Sequence, residues 1–116
     1  KQALQEIDKP LIYFCRGSSY LASDIASTAV NAISLDSRFP IAQVRQELPT
    51  ITLQGNLEPE ALFAPLDKVK SMTRDMLTSM KNDPAFIFNL GHGILPQTPE
   101  NSVQTILETT HSFIYS

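Results

Sequence analysis

The sequence predicts an α/β fold in which helices pack on a parallel sheet. Two observations carry that expectation. Four short apolar runs of strand length alternate with stretches whose apolar residues recur every three or four positions. Each run closes in polar or glycine residues. The order is therefore βαβαβαβα, and strands that alternate with helices imply parallel pairing through right-handed crossovers. An open doubly wound sheet and part of a (β/α)8 barrel both satisfy this order.

The first strand is Leu11–Cys15, preceded by Pro10 and stopped by Arg16-Gly17. It lacks alternation, which fits a strand buried on both faces. Ser18 and Ser19 can cap a helix over about Tyr20–Val30, since their hydroxyls accept from the free N–H groups of a first turn. Leu21, Ile25 and Ala29 recur along it at four-residue spacing. The second strand is Ala32–Leu35, ending in Asp36-Ser37, and Ile41, Val44, Arg45 and Leu48 then mark a short amphipathic helix. The third strand, Thr50–Leu53, ends in Gln54-Gly55-Asn56.

Pro59 suits the first position of a helical turn over Glu58–Ala64, because its missing N–H would be unpaired there. Pro65 ends that turn. A longer helix over Leu66–Lys81 follows, with Leu66, Val69, Met72, Met76, Leu77 and Met80 at three-and-four spacing. Asn82-Asp83-Pro84 breaks it. The fourth strand is Phe86–Phe88, ending in Asn89-Leu90-Gly91-His92-Gly93. The last helix takes Thr98 as N-cap and Pro99 in its first turn, with Val103, Ile106, Leu107, Thr110 and Ile114 on one face.

Composition narrows the function. The 116 residues allow one domain, and an apolar content of 42% is enough for a core. Nine Lys and Arg stand against twelve Asp and Glu, a formal charge of -3, without the basic stripe of a nucleic-acid binder. Cys15 is the single cysteine, which excludes an internal disulfide and a Cys-rich zinc module and suits a reducing compartment. No apolar run approaches the roughly 18 residues of a membrane span. The start at Lys1-Gln2-Ala3 has neither an initiator Met nor an apolar signal core, so the chain is expected to be an internal piece of something longer.

In either architecture ligands gather beyond the carboxyl ends of the strands. Those ends carry Arg16-Gly17, Asp36-Ser37, Gln54 through Asn56 and Asn89 through Gly93. Gly91-His92-Gly93 is the most informative triplet. Its glycines permit close backbone approach or positive φ, and its imidazole can bind an anion or move a proton near neutral pH. The same triplet also fits a tight bend. His111, late in the last helix, reads as a surface residue.

Asp36 has the chemistry to bind a cation or a pyrrole-like N–H, although a strand-end aspartate more often caps a neighbouring helix. Arg16 can hold a carboxylate bidentately, or form a solvated salt bridge. Cys15 and the Met72, Met76, Met80 stripe read as core. The glycines are too few and badly spaced for a phosphate-cradling loop or a dinucleotide fingerprint. One Cys and two distant His supply no metal-ligand spacing, so no metal is expected.

Two stretches together resemble the C-terminal part of the uroporphyrinogen decarboxylases. They are Leu53-Gln54-Gly55-Asn56-Leu57-Glu58-Pro59 and Phe88-Asn89-Leu90-Gly91-His92-Gly93-Ile94, the second followed by Pro96 and Pro99-Glu100-Asn101. Ile12 to Gly17 and Ser34-Leu35-Asp36 fit the preceding strands more loosely. The resemblance implies that residues 1–116 are about four βα units, the C-terminal half of a (β/α)8 TIM barrel. It also implies a cytoplasmic homodimeric carboxy-lyase of haem and tetrapyrrole synthesis. The family converts the acetate side chains of uroporphyrinogen III to methyl groups, giving coproporphyrinogen III without a metal or organic cofactor.

By the same resemblance His92 is a substrate-binding residue, and Gly55, Asn56, Gly91 and Gly93 shape the cleft. The family's arginine-bearing N-terminal motif and its pyrrole-binding aspartate have no counterpart in this chain. No catalytic residue is therefore assigned, and the chain alone is expected to be inactive. Asp36 matches a different aspartate, in a Leu-Asp-Trp motif that here reads Leu35-Asp36-Ser37. Arg16 stands where lysine is expected, which keeps the charge and changes the geometry.

Two other readings fit less of the chain. A related barrel methyltransferase for corrinoid or thiol substrates is expected to use zinc and a Cys/His set, and no Cys follows His92. A non-catalytic (β/α)4 piece would bind a partner or self-associate through its open sheet edges.

Overall fold

A computed structural model describes residues 8–28 and 30–113. Four strands, β1 (Ile12–Phe14), β2 (Ala32–Ser34), β3 (Thr52–Leu57) and β4 (Phe86–Leu90), form one sheet in the order β1-β2-β3-β4. Every pairing is parallel. Between and after them run α1 (Ala22–Ala26), α2 (Ile41–Glu47), a 3-10 turn (Pro59–Phe63), α3 (Leu66–Ser79) and α4 (Glu100–Ser112).

The register decides which face the helices take. Ile33 pairs with Leu53 and Leu53 with Phe86, so the three share a face. All three pack with Ala22 and Ile25 of α1 and Ile41 and Val44 of α2. Two and four residues along, Phe88, Leu57 and Leu90 pack with Val69 of α3 and Ile106 of α4. All four helices thus cover one side of the sheet. A doubly wound sheet, which carries helices on both faces, is not what this chain forms. The opposite side carries Ile12, Phe14 and Ile87, which are 53%, 42% and 42% exposed.

Prolines set most of the helix starts. Pro40, Pro65 and Pro99 precede α2, α3 and α4 with φ of -58°, -56° and -64°, and none of these N-caps makes a side-chain bond. Instead the proline carbonyls accept from the amides of Val44, Val69 and Ser102. The ring fixes φ near the helical value, so these starts cost little entropy. Thr98 is not the N-cap of α4. Its hydroxyl turns back to the Leu95 carbonyl at 2.7 Å.

Other expectations are corrected. β1 is an edge strand with all three residues exposed, and among the described residues no strand pairs on its far side. α1 is half the expected length, since Ser18 and Ser19 turn to other partners and its N-cap Leu21 makes no side-chain bond. Leu21 itself is 45% exposed. The Ser27 and Thr28 hydroxyls bond back to the Asp24 and Ile25 carbonyls at the other end of α1. Gln54-Gly55-Asn56 and Asn89-Leu90 are strand rather than loop, paired as Gln54 with Ile87, Gly55 with Phe88, Asn56 with Asn89 and Leu57 with Leu90.

On α4 the buried stripe is Ser102, Ile106 and Thr109, and Leu107 faces outward. Ser102 is held there by donating to the buried Leu62 carbonyl at 2.6 Å. Leu66, the first apolar residue of α3, is likewise exposed. Ala29 and Ile114, read from the sequence onto helix faces, lie outside the described residues. The spacing of α3 does hold: Val69, Leu77 and Met80 are buried, and Met72 and Met76 pack against the clusters. Cys15 is half-buried against the first cluster, as expected of a core thiol.

The amino ends of β3 and β4 are tied by one side chain. Arg45 donates to the Asp83 carboxylate and to the carbonyls of Leu48, Ile51 and Ala85. The Arg45 and Asp83 side chains are 15% and 17% exposed. This end of the sheet is held by a half-buried ion pair.

Candidate functional site

At the carboxyl end of the sheet four loops meet around Asp36, just beyond β2. Its carboxylate accepts from the Gly17 amide at 2.6 Å, the Ser19 amide at 3.2 Å and the Ser19 hydroxyl. Ser18 reinforces the link by accepting from the Asp36 amide and donating to the Ser34 carbonyl. Arg38 adds its guanidinium, with Nε 3.3 Å from the carboxylate. Burial raises the pKa of Asp36, but the Ser19 hydroxyl, the Gly17 and Ser19 amides and the Arg38 charge outweigh it. The group is held below the usual carboxylate range. Asp36 therefore neither caps a helix nor stands open to a ligand. It fastens the loop after β1 to the loop after β2.

The ends of β3 and β4 are packed on the same point. Asn56, at the end of β3, is buried and donates its amide to the Asp36 and Phe39 carbonyls. Gly55 has φ +135°, and a Cβ on it would lie 2.8 Å from the Leu35 carbonyl oxygen. Gly91, just past β4, lies so close to the Asp36-Ser37 backbone that a Cβ would come within 2.6 Å of the Ser37 nitrogen. Its amide extends the ladder by donating to the Leu57 carbonyl at 2.8 Å. Three of the four residues expected to shape a cleft thus make close contact with the segment Leu35–Phe39. Gly93 has open space around it and no positive φ.

His92 follows Gly91 directly and is half-buried. Its Nδ1 lies 3.2 Å from the neighbouring Gly93 carbonyl, the only hydrogen bond it makes among the described residues. It borders an open hollow of about 340 Å3, lined also by Phe14, Ser34, Asn89, Leu90 and Ile94. Phe14, Ser34 and Asn89 stand on the helix-free side of the sheet. The hollow sets an imidazole, an amide and a hydroxyl among apolar walls.

Arg16 is exposed and makes no ion pair among the described residues. His111 lies exposed near the end of α4. Sequence reasoning did not single out Ser34 and Phe14, which line the hollow, or Arg38, which pairs with Asp36. Ser34 had a signal, because a serine inside an apolar strand needs a partner, and here it accepts from Gln54. Among the described residues no group of three or more His, Cys, Asp or Glu is placed to hold a metal ion. No helix among them is long and apolar enough to cross a membrane.

The family profile described as uroporphyrinogen decarboxylase (URO-D) matches residues 1–113, a span that includes both glycine-bearing motifs and His92. The chain belongs to the uroporphyrinogen decarboxylase family. Among similar proteins, a uroporphyrinogen decarboxylase of Protochlamydia amoebophila is 46% identical over 103 residues, covering 88% of this chain and 28% of that protein. One from Desulfotalea psychrophila is 37% identical over 109 residues, covering 94% and 32%. One from Geobacillus sp. is 35% identical over 111 residues, covering 96% and 32%. The chain therefore spans about a third of the length of these curated relatives. The decarboxylase family expected from the two motifs is the family found.

Proposed function

We propose that this chain is the C-terminal part of a uroporphyrinogen decarboxylase, converting uroporphyrinogen III to coproporphyrinogen III in tetrapyrrole synthesis. The observation that carries the reading is the seat of His92. In a chain of this family, it lies at the carboxyl end of β4, on the helix-free side of the sheet and beside a hollow reached by Phe14, Ser34 and Asn89. Residues 1–116 form one domain piece, about four βα units of a (β/α)8 barrel. Consecutive strand order, helices on one face and an apolar opposite face support that architecture. The working protein is a cytoplasmic homodimer.

Each turn of the reaction protonates the pyrrole α-carbon next to the ring carbon that bears an acetate side chain. The cationic ring then takes up the electron pair of the breaking C–C bond as CO2 leaves, the resulting exocyclic methylene carbon is protonated to methyl, and loss of the added ring proton restores the pyrrole. Net, one carboxylate and one proton become CO2 and a C–H bond. His92 binds a substrate carboxylate in this scheme, and Asn89 contributes an amide beside it. Gly55, Asn56, Gly91 and Gly93 shape the cleft, the first three by holding the strand ends against Leu35–Phe39. The groups that handle the pyrrole N–H and most of the carboxylates belong to the rest of the barrel, so the 116-residue chain by itself is inactive.

The test is an anaerobic assay of the chain with uroporphyrinogen III, alone and mixed with the separately produced N-terminal part of a relative. The reading expects coproporphyrinogen only in the mixture. Turnover by the chain alone would refute its dependence on the remaining barrel.

A further inference from the structure

We infer that Arg38 is a second carboxylate-binding residue of this site, a contact that sets specificity for a polycarboxylate ligand. The inference rests on the decarboxylase reading for the identity of that ligand. Arg38 leaves β2 on the loop whose backbone touches Gly91, the residue before His92. One packed contact, Ser37 against Gly91, therefore joins the loop that carries Arg38 to the loop that carries His92.

The guanidinium is preorganised on two sides. Its Nε rests 3.3 Å from Asp36, and its carbon stands 5.7 Å over the centre of the Tyr20 ring. Tyr20 is braced in turn by an edge contact to Phe39, with ring centres 4.4 Å apart. The two terminal nitrogens have no acceptor among the described residues, and the side chain is 57% exposed. With Nε turned to Asp36, the two terminal nitrogens are left to meet a carboxylate as a planar fork.

Structure alone does not require this arginine. Asp36 already accepts from Gly17 and twice from Ser19, so its charge is met without Arg38. An ion pair this exposed contributes little to stability. In a chain of formal charge -3, an outward-facing, doubly braced arginine beside the candidate site is an anchor for an anion.

The test is fluorescence titration of the 116-residue chain with uroporphyrin III, which carries eight carboxylates, in low-salt buffer. Arg38→Gln is expected to weaken binding by about five- to tenfold. Arg38→Lys, which keeps the charge and loses the fork, falls between the two, and Lys68→Gln on α3 leaves binding unchanged. Far-UV circular dichroism and melting temperature of Arg38→Gln match those of the parent chain. Equal binding by Arg38→Gln and the parent, or no binding by the parent, overturns the assignment. Neither result touches the decarboxylase reading, which stands or falls on turnover.

Discussion

Gly91 lies against the backbone of Ser37 so closely that any Cβ at position 91 would fall 2.6 Å from the Ser37 nitrogen and 2.9 Å from the Ser37 Cβ. Neither neighbour is the end of a flexible side chain, so the strain of a substitution has no easy outlet. Gly91→Ala is expected to destabilise the chain by about 2 kcal/mol, in the range of core overpacking. Gly93→Ala, in open space, should stay within about 0.5 kcal/mol of the parent. Urea denaturation of both variants checks the pair, and equal stabilities would remove the packing role assigned to Gly91.

The pH dependence of stability follows from Asp36. Its pKa is lowered in the folded chain relative to an unfolded value of about 3.9. Its contribution is therefore complete above that unfolded value and disappears as the pH falls through the lower folded value. Asp36→Asn should cost roughly 1.5–3 kcal/mol at neutral pH, the scale of hydrogen bonds to a charged group. It should also flatten the acid limb of a stability-against-pH curve measured by chemical denaturation. An acid limb as steep as the parent's would exclude Asp36 as its source.

How much of this could be read from the residues varies by element. α3 was legible because its apolar spacing answers only to its own periodicity. The strand ends were not. Gln54, Gly55, Asn56 and Asn89 look like loop residues, yet backbone pairing between β3 and β4 carries them to the end of the sheet. Pairing depends on the partner's position, which local composition does not encode. Ser18 and Ser19 fit a helix cap in sequence, and an aspartate 17 or 18 residues away took them instead. The place of His92 just beyond the fourth strand was legible through the glycines beside it. The setting of Arg38 was not, since its contacts come from Asp36 and Tyr20 across the fold.

Arg45 anchors the opposite end of the sheet. Replacing it with Met strands the Asp83 carboxylate and removes a donor from three carbonyls. The expected loss is about 2 kcal/mol, the scale of charged hydrogen bonds lost from a half-buried pair. Arg45→Lys should recover little of it, because a single ammonium cannot reach four acceptors in the geometry of the planar fork. Thermal unfolding of the two variants distinguishes this account from a simple charge effect, under which lysine would rescue.

His92 should separate activity from stability. Its only hydrogen bond among the described residues is to its own neighbour, so His92→Ala should shift stability by no more than about 0.5 kcal/mol. In the mixture of this chain with the N-terminal part of a relative, the same variant should lower kcat/KM at least about tenfold, the scale of one charge-assisted contact. A melting temperature that falls together with activity would reassign His92 to the fold.

The most direct measurement is product formation by this chain combined with the N-terminal part of a relative, incubated anaerobically with uroporphyrinogen III. Products are oxidised to porphyrins and separated by chromatography. Porphyrins with seven, six and five carboxylates are expected in passing, with coproporphyrin III, which carries four, accumulating as the end product. Unchanged uroporphyrin after prolonged incubation with folded protein would contradict it.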